Sequence, residues 1–487
     1  MPKSVLPEPE TPEPAPATAA AVLPPADQRM FKVGVAAVAV IEGYFVYHWR
    51  SDNVIHLYQG LLIFFLAMLP SLLWAKRGDG AFPLMEVFML TTANTYAVPL
   101  LNGHEDLALY SDEVITSAAN LIIVYQGAAL ATFYAIRGQP MRSPFWVDEI
   151  ISEHVGKFLS YGLAATTVYT IASTFLHDEI FSHLPAETEG ILRAAFFGLG
   201  IICTFILCRR WGLGTLAPRE RTFVAANLVL QFFVTSASLL LIVGISTLVL
   251  AILGYVSGSR KLPVGVLVLT VLVVSILHNG KSAMREKYWA EDSHGFTFTG
   301  LPAYYAEWVG DGLRHDDGSE RSNTAKLFDR TSLFQIICLV VDRTPSKQPY
   351  LNGETYAHIA GQFIPRFFWP NKPVAHESTY RLSLYYGLQT EEDTKATTIG
   401  FGMVSEAYAN FGFLGVAALG CLFGLAFKKV VTWARFSPML SYGGLLLVLL
   451  MAWSFQTELT LSIWLSSLFQ ACVAVLGLPL VLRNFIT

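Results

Sequence analysis

Runs of about 20 apolar residues recur along this chain, and they limit its fold more than any other feature. A segment that crosses a bilayer must satisfy its own backbone hydrogen bonds, so it is a helix or part of a closed barrel, and about 20 apolar residues suit a helix. The runs lie at Phe31 to Trp49, Val54 to Ala75, Ala81 to Leu101, Ile115 to Ile136, Phe158 to Leu176, Ile191 to Cys208, Leu262 to Leu277, Phe401 to Phe427, Met439 to Thr457 and Leu459 to Leu482. The run from Thr222 to Val256 is too long for one untilted span. Thr235-Ser236-Ala237-Ser238 offers a weak break, so it reads as two crossings. The expectation is an all-α polytopic membrane protein with about 12 transmembrane helices. Only 14% of residues are charged, against about 25% in soluble domains, as this reading requires.

The placement of charge orients the helices. Lys76 and Arg77, Arg137 and Arg142 with Lys157, Arg209, Arg210, Arg219 and Arg221, Arg260 and Lys261, Lys428, Lys429 and Arg435, and finally Arg483 all fall on one face. The loops Asn102 to Val114 and Asp178 to Glu189 on the other face carry no Lys or Arg, and Arg50 alone sits on the wrong side. The positive-inside rule makes the basic face cytoplasmic, together with both termini. The chain then divides into residues 1–28, a Pro/Ala-rich tail that reads as disordered and lacks the basic start and apolar core of a signal peptide; helices over 29–278; an extracytoplasmic loop domain over 279–400; and helices over 401–487. The net charge of −4 points to no particular partner, and no nucleic acid is expected. Four cysteines lie in apolar runs and only Cys338 in the loop, so neither a disulfide framework nor a metal site is expected.

Inside the loop domain, Ala325 to Val341 reads as a helix too short to span and packed on the membrane domain. Ile364-Pro365-Arg366-Phe367-Phe368-Trp369-Pro370-Asn371-Lys372-Pro373 cannot be helical, because proline lacks a donor and clashes with the preceding turn. It reads either as a rigid turn or as a stiff, aromatic-walled cationic element. In the second case Arg366 forks onto phosphate and Lys372 adds a point charge beside Trp369. Lys281, Arg285 and Trp289 share one helix face, as an interfacial anchor or as a second cationic surface, and Lys326 and Arg330 form a third pair, on a solvated face or at a ligand. Candidate acids and bases are Glu406, which opens an apolar span where a carboxylate is costly unless paired, with His358 and Glu354 four residues apart. Arg193 is a further intramembrane charge. Walker, GxSxG, HExxH and DxD-type patterns do not occur in the stretches that would host them.

Ile364-Pro365-Arg366-Phe367-Phe368-Trp369-Pro370-Asn371-Lys372-Pro373, followed by Ser405-Glu406-Ala407-Tyr408-Ala409-Asn410-Phe411-Gly412, resembles the signature region of Wzy-type oligosaccharide repeat-unit polymerases. Gly258-Ser259-Arg260-Lys261 and Gly280-Lys281 with Arg285 and Tyr288-Trp289 are similar to further elements of that family, which often has Asp where Asn371 stands. The resemblance covers roughly Arg209 to Lys429. It implies a GT-C-like glycosyltransferase of the inner membrane, joining repeats carried on polyprenyl diphosphate at the outer face without metal or other cofactor. Flippase and chain-length regulator proteins are the implied partners. Glu406, His358 and Glu354 are then the candidates for taking the acceptor proton, and Arg366, Lys372, Arg285, Lys281, Arg330, Trp369 and Arg193 for holding diphosphate or glycan. A ligase acting on another acceptor, a lipid-glycan transporter and a non-catalytic scaffold stay open as alternatives.

Overall fold

The computed structural model describes residues 28–77, 82–148, 155–184, 186–239, 241–288, 297–314, 332–364, 368–369, 371–396 and 398–477. Among them there are helices, turns and no strand. The main helices are α1 (Gln28–His48), α2 (Val54–Arg77), α3 (Leu84–Asn102), α4 (Asp112–Ala135), α5 (Val155–Phe175), α6 (Ala186–Gly212), α7 (Pro218–Ser236), α8 (Leu241–Ser259), α9 (Val264–Tyr288), α10 (Leu301–Arg314), α11 (Phe334–Arg343), α12 (Met403–Trp433), α13 (Tyr442–Ser454) and α14 (Leu461–Cys472). Eight among the described residues are long and apolar enough to cross a membrane: α1, α2, α3, α4, most of α6, α8, α9 and α12.

That is fewer than the twelve apolar runs, for two physical reasons. α13 holds 13 residues, about 20 Å of helix against the roughly 30 Å of hydrocarbon, and α14 with its π-helical continuation Val473–Gly477 is described over about 25 Å. α5 has Ser, Thr and Tyr spread along its whole length, with no long unbroken apolar stretch, and α7 opens on the charged Pro218-Arg219-Glu220-Arg221. The long run from Thr222 to Val256 does divide into two helices, α7 and α8, with Leu239 at φ 59° in the turn between them.

Helix ends gather at two levels. At one, His56 near the start of α2 lies 3.1 Å from the Thr116 hydroxyl near the start of α4. At the other, Arg77 at the end of α2 reaches Glu86 of α3 and the Tyr134 ring at the end of α4. The second level also holds Arg209, Arg210, Arg260 and Lys261, and the first holds the described residues 297–314, 332–364 and 371–396; we call the first the loop end. Two seams bring backbones into direct contact. A Cβ on Gly254 or Gly258 of α8 would collide with the carbonyls of Phe205 and Arg209 on α6, and one on Gly420 or Gly424 of α12 with those of Tyr125 and Ala129 on α4. Glycines four apart remove the side chain where two helices cross, so van der Waals contact runs along the backbone itself.

α12 is not one straight helix. Gly412 has φ 60° and ψ −146°, and the chain folds back there so sharply that a Cβ on Gly415 would strike the carbonyl of Ala407. Met403 and Val404 consequently border Phe88 and Tyr125, while Phe423, far along the second limb, stacks on Phe88 with centroids 4.9 Å apart. The carbonyls left open at the end of the first limb are taken by the loop. Leu351 N–H donates to Ala409 O at 3.0 Å and Asn352 N–H to Asn410 O at 3.1 Å. α11 is a third partial helix; its residues Phe334, Ile337, Cys338 and Val340 are fully buried in the main core, and Leu333 N–H donates to Thr95 O at 3.2 Å. Its described start, Phe334, lies inside the expected Ala325 to Val341 segment, of which 325–331 falls outside the described residues.

Candidate functional site

Three helix N-termini meet beneath the loop. Leu333, just before α11, packs on Gly402, just before α12; Gly402 N–H donates to Glu458 O at 3.0 Å, in the turn that leads into α14. Each N-terminus carries unsatisfied N–H groups and a partial positive charge, so the meeting place favours negative charge. Beside it, Ala93–Ala97 forms a π-helical turn within α3, and Thr95 Oγ1 lies 3.2 Å from Thr457 Oγ1. A small cavity lined by Thr92, Tyr96, Tyr125, Met403, Gln456 and Thr457 adjoins the turn.

Glu406 sits in this place, fully buried. Its Oε2 accepts the N–H of Leu461, the first residue of α14, at 2.7 Å. The carboxylate thereby stands at the N-termini of two helices, which is why an ionisable group is tolerated there. Oε1 meets no hydrogen-bond donor at bonding distance among the described residues, although the Thr355 side chain is beside it. Asn410, one turn on, locks the loop over Glu406: its Nδ2 donates to Thr355 Oγ1 and to Glu406 O, both at 2.8 Å, and its Oδ1 accepts Gly353 N–H at 3.0 Å. Tyr356 closes the roof, its ring on Phe411, and burial raises its phenol with Glu406 adding to the effect. Ser378 Oγ donates to Thr355 O at 2.8 Å, and the Thr379 and Thr460 hydroxyls lie 3.2 Å apart.

Glu458 is the acid that the sequence reading passed over. Its side chain is exposed, yet desolvation raises its carboxyl above the ordinary value. Its Cβ lies against Gly400, and its carbonyl accepts the Gly402 N–H. The available signal was a lone carboxylate between two apolar runs, Met439 to Thr457 and Leu459 to Leu482.

The other expected residues scatter. Glu354 is exposed and pairs with Arg381 at 2.8 Å, one residue from Thr355 but facing outward. His358 is partly buried at the start of the short helix Ile359–Gln362. Lys372 Nζ donates to Ile364 O at 2.7 Å and Gln362 O at 3.3 Å, so its described contacts are with carbonyls. Trp369 packs over Gly361. Arg193 is exposed, and its charge, after burial, lowers the pKa of His376 across the loop. Arg285 Nη2 donates to Leu239 O at 3.1 Å, capping the end of α7, and Lys281 is partly buried one turn earlier. Arg330, Lys326, Trp289 and Arg366 lie outside the described residues. No group of three or more His, Cys, Asp or Glu that could hold a metal occurs among the described residues.

A family model described as a domain of unknown function, DUF8712, matches residues 218–447. The match runs from the first residue of α7 to the first turns of α13; it includes Glu406 and Asn410 and stops before Glu458 and α14. No curated protein and no solved structure matches the chain.

Proposed function

We propose that the chain is a membrane glycosyltransferase that joins oligosaccharide repeats carried on polyprenyl diphosphate, working where three helix N-termini meet at the loop end of the bundle. The observation that carries this reading is Glu458: an accessible carboxylate of raised pKa where three helix N-termini meet. A general base works best with a pKa near the working pH, and the N-termini favour the charge that develops on a phosphate leaving group. In the reaction, a hydroxyl oxygen of the acceptor repeat attacks the anomeric carbon of the donor. The bond from that carbon to the diphosphate oxygen breaks, and its electron pair leaves with the polyprenyl diphosphate. The acceptor proton passes to the Glu458 carboxylate. Arg366 and Arg193 are the cations assigned to the diphosphate, since Lys372 and Arg285 donate to carbonyls. Glu406 is a positioning residue, holding the N-terminus of α14 through Leu461 N–H.

The test is polymerisation by the purified full chain in vesicles, given lipid-diphosphate-linked repeat and neither nucleotide sugar nor added metal. A product ladder from the wild type that Glu458→Gln and Arg366→Ala both abolish is the expected result. Transfer to a different acceptor without a ladder would replace the polymerase by a ligase. No glycan transfer of either kind would return the chain to transport or scaffolding.

A further inference from the structure

The segment from Ile359 to Pro373 has an apolar side that faces outward, and its depth shows what that side meets. Phe363, Ile364, Phe368 and Trp369 are exposed by 38%, 40%, 75% and 42%. Phe363 meets Phe469 of α14, ring centroids 5.0 Å apart, and Phe469 is itself 37% exposed. Phe469 lies eight residues beyond Leu461, about 12 Å along the helix from its loop end. A second ruler agrees: two residues further on, the Ala471 backbone packs on Gly198, inside the apolar span Leu192–Gly212 of α6. Phe363 therefore reaches below the loop ends of both helices.

Non-helical backbone is tolerated at that depth only if its polar groups are satisfied within the protein. The described part of the segment meets this condition. Phe363 and Ile364 N–H donate to the carbonyls of Ala360 and Gly361, and Lys372 N–H donates to Trp369 O. Gln362 Nε2 takes Pro373 O at 3.1 Å, and the Lys372 ammonium takes the carbonyls of Gln362 and Ile364. Pro365, Pro370 and Pro373 have no N–H to satisfy. Among the described residues of the turn, Gln362 and the lysine thus take up carbonyls that would otherwise be open.

We infer that this segment dips beside α14 to the outer rim of the hydrocarbon layer, where Phe363, Ile364, Phe368, Trp369 and Phe469 lie against the acyl chains of bilayer phospholipids. The inference rests on the membrane reading of the chain and is independent of the reaction proposed above. Full-length protein with its five cysteines replaced, reconstituted in phosphatidylethanolamine–phosphatidylglycerol vesicles, carries a nitroxide at Phe368→Cys. Reference labels are at Leu272→Cys, on the exposed face of α9, and at Ser346→Cys, beyond the end of α11. Oxygen is expected to collide with the label at 368 several-fold more than a water-soluble nickel chelate does, as at 272, with the reverse at 346. A label at 368 that behaves like 346 while 272 still favours oxygen overturns the inference. So does shielding from both reagents, which would put a protein surface such as a second copy over the patch. Nickel access at 272 as well would defeat the membrane reading itself, and the inference with it. If the cysteine-free chain does not fold, Trp369→Phe in the native chain serves instead. Lipids brominated near the glycerol end of the acyl chain should quench a share of wild-type emission that the variant lacks, and equal quenching of both overturns the inference.

Discussion

The aromatic cap on α7 and α9 and the meeting place of α11, α12 and α14 both lie at the loop end, and both are built from helix termini. In the first, every carbonyl in question has a donor. Tyr304 and Tyr305 of α10 donate to Ala237 O at 2.9 Å and Phe233 O at 2.6 Å, Trp308 Nε1 to Leu277 O at 2.6 Å, and Arg285 to Leu239 O at 3.1 Å. Gly280 and Gly312 let α9 and α10 approach closely enough for this. In the second, a buried carboxylate oxygen stays without a donor at bonding distance among the described residues, and an accessible carboxyl is held partly desolvated. A region whose carbonyls have side-chain donors stabilises the fold; a charged group left half-satisfied is a candidate for chemistry. The contrast gives Arg285 a bond within the capped region and makes Glu458 a further candidate.

The largest effect that would sharpen this contrast is on activity. Glu458→Gln should lower polymerisation by about 10²–10⁴-fold, while the melting temperature in detergent holds or rises. The sign follows from the raised pKa. The folded chain binds this proton more tightly than the unfolded chain, so the carboxyl favours folding at low pH, and that contribution is lost as pH rises through the raised value. Activity should accordingly rise with pH along an acid limb displaced above the usual carboxylate range.

Next in size, Gly412→Ala puts a side chain at φ 60° against Tyr350, and should destabilise the protein by about 1–3 kcal/mol in thermal unfolding. Glu406→Ala leaves the buried Leu461 N–H unpaired, at about 1–3 kcal/mol, and Glu406→Gln, which still offers an acceptor, should recover most of that. Recovery of stability without recovery of activity would break the contrast by making Glu406 chemical as well. On the capped side, Trp308→Phe loses one donor to Leu277 O, about 0.5–1.5 kcal/mol, plus the cost of the space the smaller ring leaves in a fully buried site, and should leave the rate per folded molecule unchanged. Smallest of all, Glu354→Ala breaks a half-exposed pair with Arg381, for which about 0.2–1 kcal/mol is the upper range. A large loss of activity in this variant would restore Glu354 to the site.

Much of the bundle was legible because apolar length sets helix length, and even the break between α7 and α8 was marked by Thr235 to Ser238. The reversal at Gly412 was not. Gly412 lies inside an apolar run, and what stabilises the open carbonyls there is the backbone of Leu351 and Asn352, far away in sequence. Glu458 was overlooked for a related reason: the apolar run continues through α13, so nothing in composition reveals that the helix stops at Ser454. Arg285 and Lys372 illustrate a third limit. A cation that satisfies carbonyls and one that binds phosphate have the same side chain, and only position separates them. The glycine seams were readable as small residues four apart, Gly254 with Gly258 and Gly420 with Gly424.

The bond between Glu406 and Leu461 also sets an order of assembly. The two residues are 55 apart, so a ribosome that has just made the first limb of α12 has still to make the second limb, α13 and the start of α14 before the carboxylate meets its donor. Until then Glu406 lacks this donor, although Leu351, Asn352 and Thr355, made earlier, already bond the limb from the loop side. The meeting place of the helix ends is complete only once Leu461 has emerged, and a chain stopped before Leu461 would lack the donor to Glu406.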